Sequence, residues 1–240
     1  MPTELVFRAD PYAKSCPATV TSVEPRGVVL DRTVFYPTGG GQPGDQGLLR
    51  LADGTTLRVV DAVKGEGPDS VVHVLEPGAS APAPGTPVTA ELDWERRHRH
   101  MRMHTCLHLL SAVLPYPVTG GQVAADKGRL DFDIPEATLE KEAVTEKVNA
   151  LIAADHAVTT RWITDAELAQ QPELVKTMAV KPPTGHGRVR LIEVAGLDLQ
   201  PCGGTHVART GEIGRVEVTK IEKKGRINRR VVIGFADNKL

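Results

Sequence analysis

The sequence predicts an α+β protein: a small N-terminal β-barrel over residues 1–90, followed by an α+β domain over residues 91–240. Three observations carry that expectation. Up to residue 75 the chain alternates short Val- and Thr-rich stretches with tight turns, the pattern of a small barrel. Residues 77–87 are rich in Pro, Ala and Gly and read as a linker or domain boundary. Beyond them, helical periodicity alternates with further strand-like runs.

Residues 19–30, broken by Pro25-Arg26-Gly27, predict a strand pair. Residues 48–52 and 55–60 flank Asp53-Gly54, which predicts a hairpin with a type I′ turn. Residues 71–75 form another short strand. Residues 94–114 have helical spacing and stop before Pro115. Asp133, Pro135 and Glu136 read as a capping box opening a helix that runs to about Asp155. Its apolar stripe is Leu139, Ala143, Val144, Val148, Leu151 and Ile152. Residues 158–163, 189–194, 216–221 and 231–235 complete the set as strands. No internal repeat is visible.

Of the 240 residues, 40% are hydrophobic and 25% charged, enough apolar content for a core and too little charge bias for disorder. Aromatics make up 4%, which argues against stacking of many nucleic-acid bases. Net charge is −1, but it is unevenly spread. Residues 1–92 hold 7 Lys/Arg against 11 Asp/Glu, and residues 209–240 hold 9 against 4. Two basic runs, residues 96–102 and 223–230, offer footing for a polyanion; taken in isolation, a charge run is more often a solvated face. Three cysteines, Cys16, Cys106 and Cys202, do not make a disulfide framework. No apolar run has the length of a membrane span and the N-terminus lacks signal-peptide character, so the expected compartment is the cytoplasm.

The chemistry concentrates in two short segments. His104-Thr105-Cys106-Leu107-His108 places two imidazoles at i and i+4, one turn apart on a helix face. Cys106 points elsewhere and reads as a small buried hydrophobe. Cys202-Gly203-Gly204-Thr205-His206 places a thiol and an imidazole four apart across two glycines. Together these are four nitrogen and sulfur donors, His104, His108, Cys202 and His206, which suit zinc and disfavour magnesium or calcium. Four protein ligands close a tetrahedral site, the usual form of a structural zinc, whereas catalysis needs an open position. A third dense segment, residues 35–47, contains Gly39-Gly40-Gly41-Gln42. It has neither the Gly-Lys-Ser/Thr nor the following helix of a nucleotide P-loop. It reads either as a tight barrel turn packed under Phe35 and Tyr36 or as a loop that meets a ligand through backbone NH groups or Gln42.

The glycine segment, His104-x-x-x-His108 and Cys202-Gly-Gly-Thr-His206-Val207 occur in this order in the editing domain of alanyl-tRNA synthetases. The chain resembles the freestanding AlaX-type editing family over nearly its whole length, from about Thr19 to about Phe235. The resemblance implies a small β-barrel followed by an α+β editing domain. It implies an aminoacyl-tRNA deacylase with Zn2+ held by His104, His108, Cys202 and His206. The substrate is tRNA(Ala) mischarged with serine and possibly glycine; no ATP, no membrane and no particular oligomeric state are implied. Gly39, Gly40, Gly41 and Gln42 carry over as a substrate-proximal element, and Lys127 as part of a cleft segment that Asp126 precedes here.

An activated ester needs positioning and a polarised water, which zinc supplies at neutral pH. His100, one turn before His104, is a weak candidate for the base. Thr38, Thr105 and Thr205 are candidates to hydrogen-bond the hydroxyl that distinguishes serine from alanine. Arg96, Arg97, Arg99, Lys223, Lys224, Arg226, Arg229 and Arg230 are the candidate tRNA phosphate contacts. Two other classes stay open: a tRNA-binding module with a structural zinc and no turnover, and a zinc amidase or peptidase. The absence of His-Glu-x-x-His counts against the last.

Overall fold

In the computed structural model, residues 2–67, 69–134, 139–177 and 187–236 are described. The chain divides into two units, Met1–His98 and Arg99–Leu240. The first unit runs through β1 (Glu4–Leu5), α1 (Val6–Ala9), β2 (Ser15–Glu24), β3 (Gly27–Leu30), β4 (Arg32–Thr33), β5 (Gly47–Leu51), β6 (Thr56–Lys64), β7 (Val71–Leu75) and β8 (Pro87–Leu92). Six of these close an antiparallel barrel in the order β2-β3-β7-β6-β5-β8, with β8 pairing back onto β2. Closure removes the free strand edges. Period-two alternation puts Cys16, Ala18 and Val20 of β2 and Val88, Ala90 and Leu92 of β8 inside, against Leu30, Leu49 and Val59.

The hairpin at Asp53-Gly54 forms, but with a different turn. Gly54 N donates to Leu51 O at 3.1 Å, Leu51 N donates to Thr55 O at 2.9 Å, and Gly54 alone has positive φ, at 88°. That is a type I turn closed by a left-handed glycine, a three-residue loop in place of the expected type I′ pair. Asp53 is spared positive φ and uses its carboxylate to accept from Thr55 N at 2.8 Å. The Pro/Ala/Gly-rich stretch joins β7 to β8, two staves of the one barrel.

Two buried polar groups tie the barrel internally. His73 is 0% exposed; its Nδ1 faces the Val28 carbonyl at 3.2 Å, so that nitrogen donates, and Nε2 accepts from Thr33 Oγ1 at 2.7 Å. Arg97 is equally buried. Its guanidinium grips both carboxylate oxygens of Asp45 and donates to Val34 O (2.6 Å) and Pro11 O (3.2 Å). Asp45 in turn accepts from Tyr36 N at 2.6 Å. The basic run around residue 97 is therefore not a uniform solvated face: Arg97 is a structural cation, and the expectation that it contacts tRNA phosphate is overturned by its burial against Asp45.

α2 (Trp94–Val113) begins where the Asp93 carboxylate accepts from Arg96 N at 3.1 Å, a side-chain N-cap. The helix is buried on nearly every side, with Met101, Met103, Cys106, Leu109 and Leu110 fully enclosed alongside its polar residues. In the second unit follow β9 (Val118–Val123), β10 (Lys127–Asp133), α3 (Lys141–Ala153), β11 (Val158–Thr164), α4 (Asp165–Ala169), β12 (Arg188–Val194), β13 (Asp198–Pro201), β14 (Val216–Lys223) and β15 (Asn228–Phe235). They form two antiparallel sheets, β14-β15-β10-β9 and β11-β12-β13. Among the described residues no helix is long and apolar enough to cross a membrane.

The helix expected to start at Asp133 starts at Lys141 instead. Asp133 closes β10, paired opposite Asn228, so strand pairing has taken the residue from the helix. Pro135 and Glu136 lie outside the described residues. Val144, Val148 and Ile152 of the expected stripe are buried in α3, and Asn149 exchanges two hydrogen bonds with the Val216 backbone of β14. In the three-stranded sheet, Val189 and Leu191 face Leu168 and Leu174. Alternation then turns Arg190, Ile192, Asp198 and Gln200 to the opposite face.

Burial lowers the His73 pKa from 6.5 to about 4. The folded barrel therefore binds this proton less readily than the unfolded chain. The contribution of the neutral ring is fully present above pH 6.5 and is lost as pH falls towards 4, by up to about 1.4 kcal/mol per pH unit. Denaturant titrations at about pH 7 and about pH 5 should show a steeper loss of stability for wild type than for His73→Gln. Equal losses would mean that this ring does not carry the acid sensitivity of the barrel.

Candidate metal centre

His104, His108, Cys202 and His206 converge. Their ligand atoms all lie within 4.8 Å of one another, and three of the four residues are buried. Cys202 Sγ stands 3.5 Å from His104 Nε2 and 3.3 Å from His206 Nε2. Nitrogen and sulfur ligands at zinc distances of about 2.1 and 2.3 Å stand about 3.6 Å apart across a tetrahedral edge. The donors are thus already near the spacing of a tetrahedral site, and their identities fit zinc. The helix supplies one pair, its rings 5.6 Å apart between centroids, and the segment after β13 supplies the other.

His108, His206 and Cys202 are held from behind. His108 Nδ1 donates to Asp198 Oδ2 at 2.8 Å, which turns Nε2 towards the cluster. Asp198 is fixed by Gln200 Nε2 on the same oxygen (2.7 Å) and by Lys176 Nζ on the other (2.5 Å). Thr105 Oγ1 lies 3.1 Å from His206 Nδ1 and accepts from Val207 N at 3.3 Å, so it orients the His206 ring. Arg190 secures the cysteine segment: its Nη1 donates to Cys202 O (3.0 Å) and Gly204 O (2.7 Å), while Cys202 N donates to Arg190 O (3.1 Å). Neither Gly203 nor Gly204 has positive φ, so it is Arg190, more than left-handed glycine, that shapes this turn. Sequence reasoning missed Lys176, Arg190, Asp198 and Gln200, and assigned Thr105 to substrate.

The electrostatics follow from this packing. Burial pushes the Cys202 thiol up, but the His104 and His206 rings outweigh it and hold the thiol well below its usual range. Burial works against a charged His108, yet the Asp198 carboxylate raises its pKa to about 9. His206 falls to about 3, first through burial and then through His104. Burial also opposes ionisation of Asp198, but His108, Lys176 and Gln200 keep it well below the usual carboxylate range. Cys106 is buried away from the donors with its thiol pushed up to about 12, a packing residue as expected. A thiolate amid imidazoles is what a borderline-soft dication needs.

His100 is 1% exposed. Thr205 is buried beside His206, and Lys127 is exposed at the start of β10. In the first unit, Gly39 and Gln42 bridge to each other across Gly40 (φ 57°) and Gly41 (φ 82°), a two-residue turn of the I′ kind that only glycines enter cheaply. Tyr36 OH donates to Gly39 O, Gly44 N donates to Thr38 Oγ1, and Gln42 is buried. Arg96 donates to Gly44 O. Arg99 donates to Ala125 O and Arg230 pairs with Asp131 through two bonds, whereas Lys223, Lys224 and Arg226 are exposed on the β14–β15 hairpin. Arg229 is half-buried against backbone carbonyls of that hairpin.

The model of the threonyl and alanyl tRNA synthetase second additional domain matches residues 189–232, which include Cys202 and His206. That of the class II (A) tRNA synthetases matches residues 7–96, nearly the whole barrel unit. An alanyl-tRNA editing protein AlaX-M of Methanosarcina mazei is 37% identical over 98% of this chain and 97% of its own length. The chain belongs to the AlaX family. The AlaX-M of Saccharolobus solfataricus is 32% identical over 95% of this chain and 97% of its own. The relation extends to an alanine–tRNA ligase of Sulfurisphaera tokodaii, 37% identical over 92% of this chain but only 25% of the ligase. For this AlaX chain, Asp198→Ala should weaken zinc binding by about 10- to 100-fold in competition with a chromogenic chelator. Unchanged affinity would show that His108 is oriented without it.

Proposed function

We propose that this chain hydrolyses the ester of tRNA(Ala) mischarged with serine, with glycine as a second substrate, in a zinc-dependent reaction that proofreads in trans. The observation that carries the proposal is the cluster of three imidazoles and one thiolate within 4.8 Å, in a chain of the AlaX family. His104, His108, Cys202 and His206 would hold the ion. Bound there, zinc supplies Lewis acidity and a water of lowered pKa. The chain's own residues supply the rest. Asp198 keeps His108 in the tautomer that presents Nε2, Thr105 keeps His206 in register, and Arg190 keeps Cys202 in place. Hydrolysis adds water across the ester, returning a free amino acid and the ribose hydroxyl of the tRNA.

Of the three threonines proposed for serine recognition, Thr38 and Thr105 engage protein partners and Thr205 is buried next to the ligand His206, and all three stay candidates. A buried hydroxyl left unpaired by alanine disfavours that substrate. Lys127 and residues 39–42 remain substrate-side candidates on the strength of the family resemblance. Lys223, Lys224 and Arg226, exposed on one hairpin, are the best placed phosphate contacts. A tRNA substrate supports a cytoplasmic activity.

Four protein donors complete a tetrahedron, and this favours a second reading, a tRNA-binding module with a structural zinc. One assay separates the two. Zinc-loaded protein incubated with seryl-, glycyl- and alanyl-tRNA(Ala) should release serine, with or without glycine, and spare alanine, while His108→Ala binds tRNA without turnover. Loss of no ester from any of the three would overturn the deacylase and leave the binding module.

A further inference from the structure

The sheet β11-β12-β13 has one face turned to the metal centre, and an exposed indole stands on it. Register places Trp162 directly opposite Arg190, Thr160 opposite Ile192, Ile192 opposite Gln200 and Val194 opposite Asp198. Directly opposed residues share a face. The bond from Arg190 Nη2 to Thr160 Oγ1 at 3.2 Å confirms that side chains of β11 and β12 meet there. Asp198 and Gln200 support His108 from this face, and Arg190 holds the Cys202 segment from it. Trp162, on the edge strand of the same face, is 45% exposed, one of few large apolar side chains so open to solvent among the described residues. Its neighbour across the strands is Arg188, opposite Thr164, also exposed and without a carboxylate partner among the described residues.

We propose that Trp162 is a stacking platform for one unpaired nucleobase at the 3′ end of an RNA, with Arg188 taking an adjoining phosphate. This deepens the editing reading and rests on it for the identity of the RNA. An indole face is an effective, sequence-tolerant partner for a base, and a guanidinium beside it adds the charge that a nucleotide requires. Arg190 lies opposite Trp162 and its carbonyl accepts from Cys202 N, so two strand spacings, about 10 Å, separate Trp162 from Cys202. That span is of the order of one nucleoside, so a base held on the indole leaves its ribose ester directed towards His108 and Cys202. The scarcity of aromatics argues against a run of stacked bases and suits a single terminal one.

The chain has two tryptophans, so Trp94→Phe leaves Trp162 as the sole indole reporter. Titrating that variant with the trinucleotide cytidylyl-cytidylyl-adenosine should quench its fluorescence saturably, and Arg188→Ala should weaken the effect. With seryl-tRNA(Ala), Trp162→Ala should raise KM about tenfold or more and leave kcat nearly unchanged, and Trp162→Phe should restore most of the loss. Absence of quenching, or an unchanged KM in Trp162→Ala, would overturn the subsite. So would a fall in oligomeric mass in Trp162→Ala, which would make the ring a contact between copies of this chain. Quenching without ester hydrolysis by the wild type would support the base subsite and contradict the editing reading.

Discussion

The second unit depends on bringing one thiolate and three imidazoles within a few ångströms of each other, an arrangement that packing alone does not favour. Four desolvated polar groups in so small a space carry a cost that falls only if each has a partner. The partners include a carboxylate behind His108, a hydroxyl behind His206 and a guanidinium fork on the backbone beside Cys202. The carboxylate is itself buried and is compensated by Lys176 and Gln200. The polar network therefore reaches from α2 through β13 to the segment before Thr177, and one face of a small sheet carries most of it. The same logic recurs in the first unit, where Arg97 and Asp45 are buried only as a mutually satisfied pair with backbone carbonyls around them.

What was legible in the sequence is what local periodicity encodes. His104 and His108 share a helix face because 3.6 residues make a turn, and the barrel strands announced themselves by alternation. The four donors could be named because cysteine and histidine in tight spacing have few other uses. The supporting residues could not. Asp198 is 90 positions from His108, and Arg190 acts on backbone atoms 12 and 14 residues ahead, so neither leaves a local signal. Arg97 looked like part of a solvated basic run because its partner, Asp45, lies 52 residues away. Asp133 offered a plausible helix cap, but pairing with Asn228 gave its backbone a better use. At Asp53-Gly54 the dipeptide announced a hairpin correctly, while the strand register set the turn type.

Family membership and geometry bear on different parts of the account. Membership connects the chain to proteins named for alanyl-tRNA editing and, through its barrel and its cysteine segment, to parts of much longer synthetases. Geometry gives the reason these residues suit that chemistry: converging imidazole nitrogens, a stabilised thiolate and a supported carboxylate around one point. The exposed lysines and arginine of the β14–β15 hairpin add a surface that a polyanion would seek, whereas Arg97 and Arg230 are committed to holding the protein together.

The most direct test of the central claim is the metal content of protein purified without added chelator or zinc, measured together with that of the Cys202→Ser and His104→Ala variants. One zinc per chain in wild type, with a marked loss in both variants, is the predicted result. Metal-free wild type that cannot be loaded, or zinc retained in full by both variants, would contradict the account.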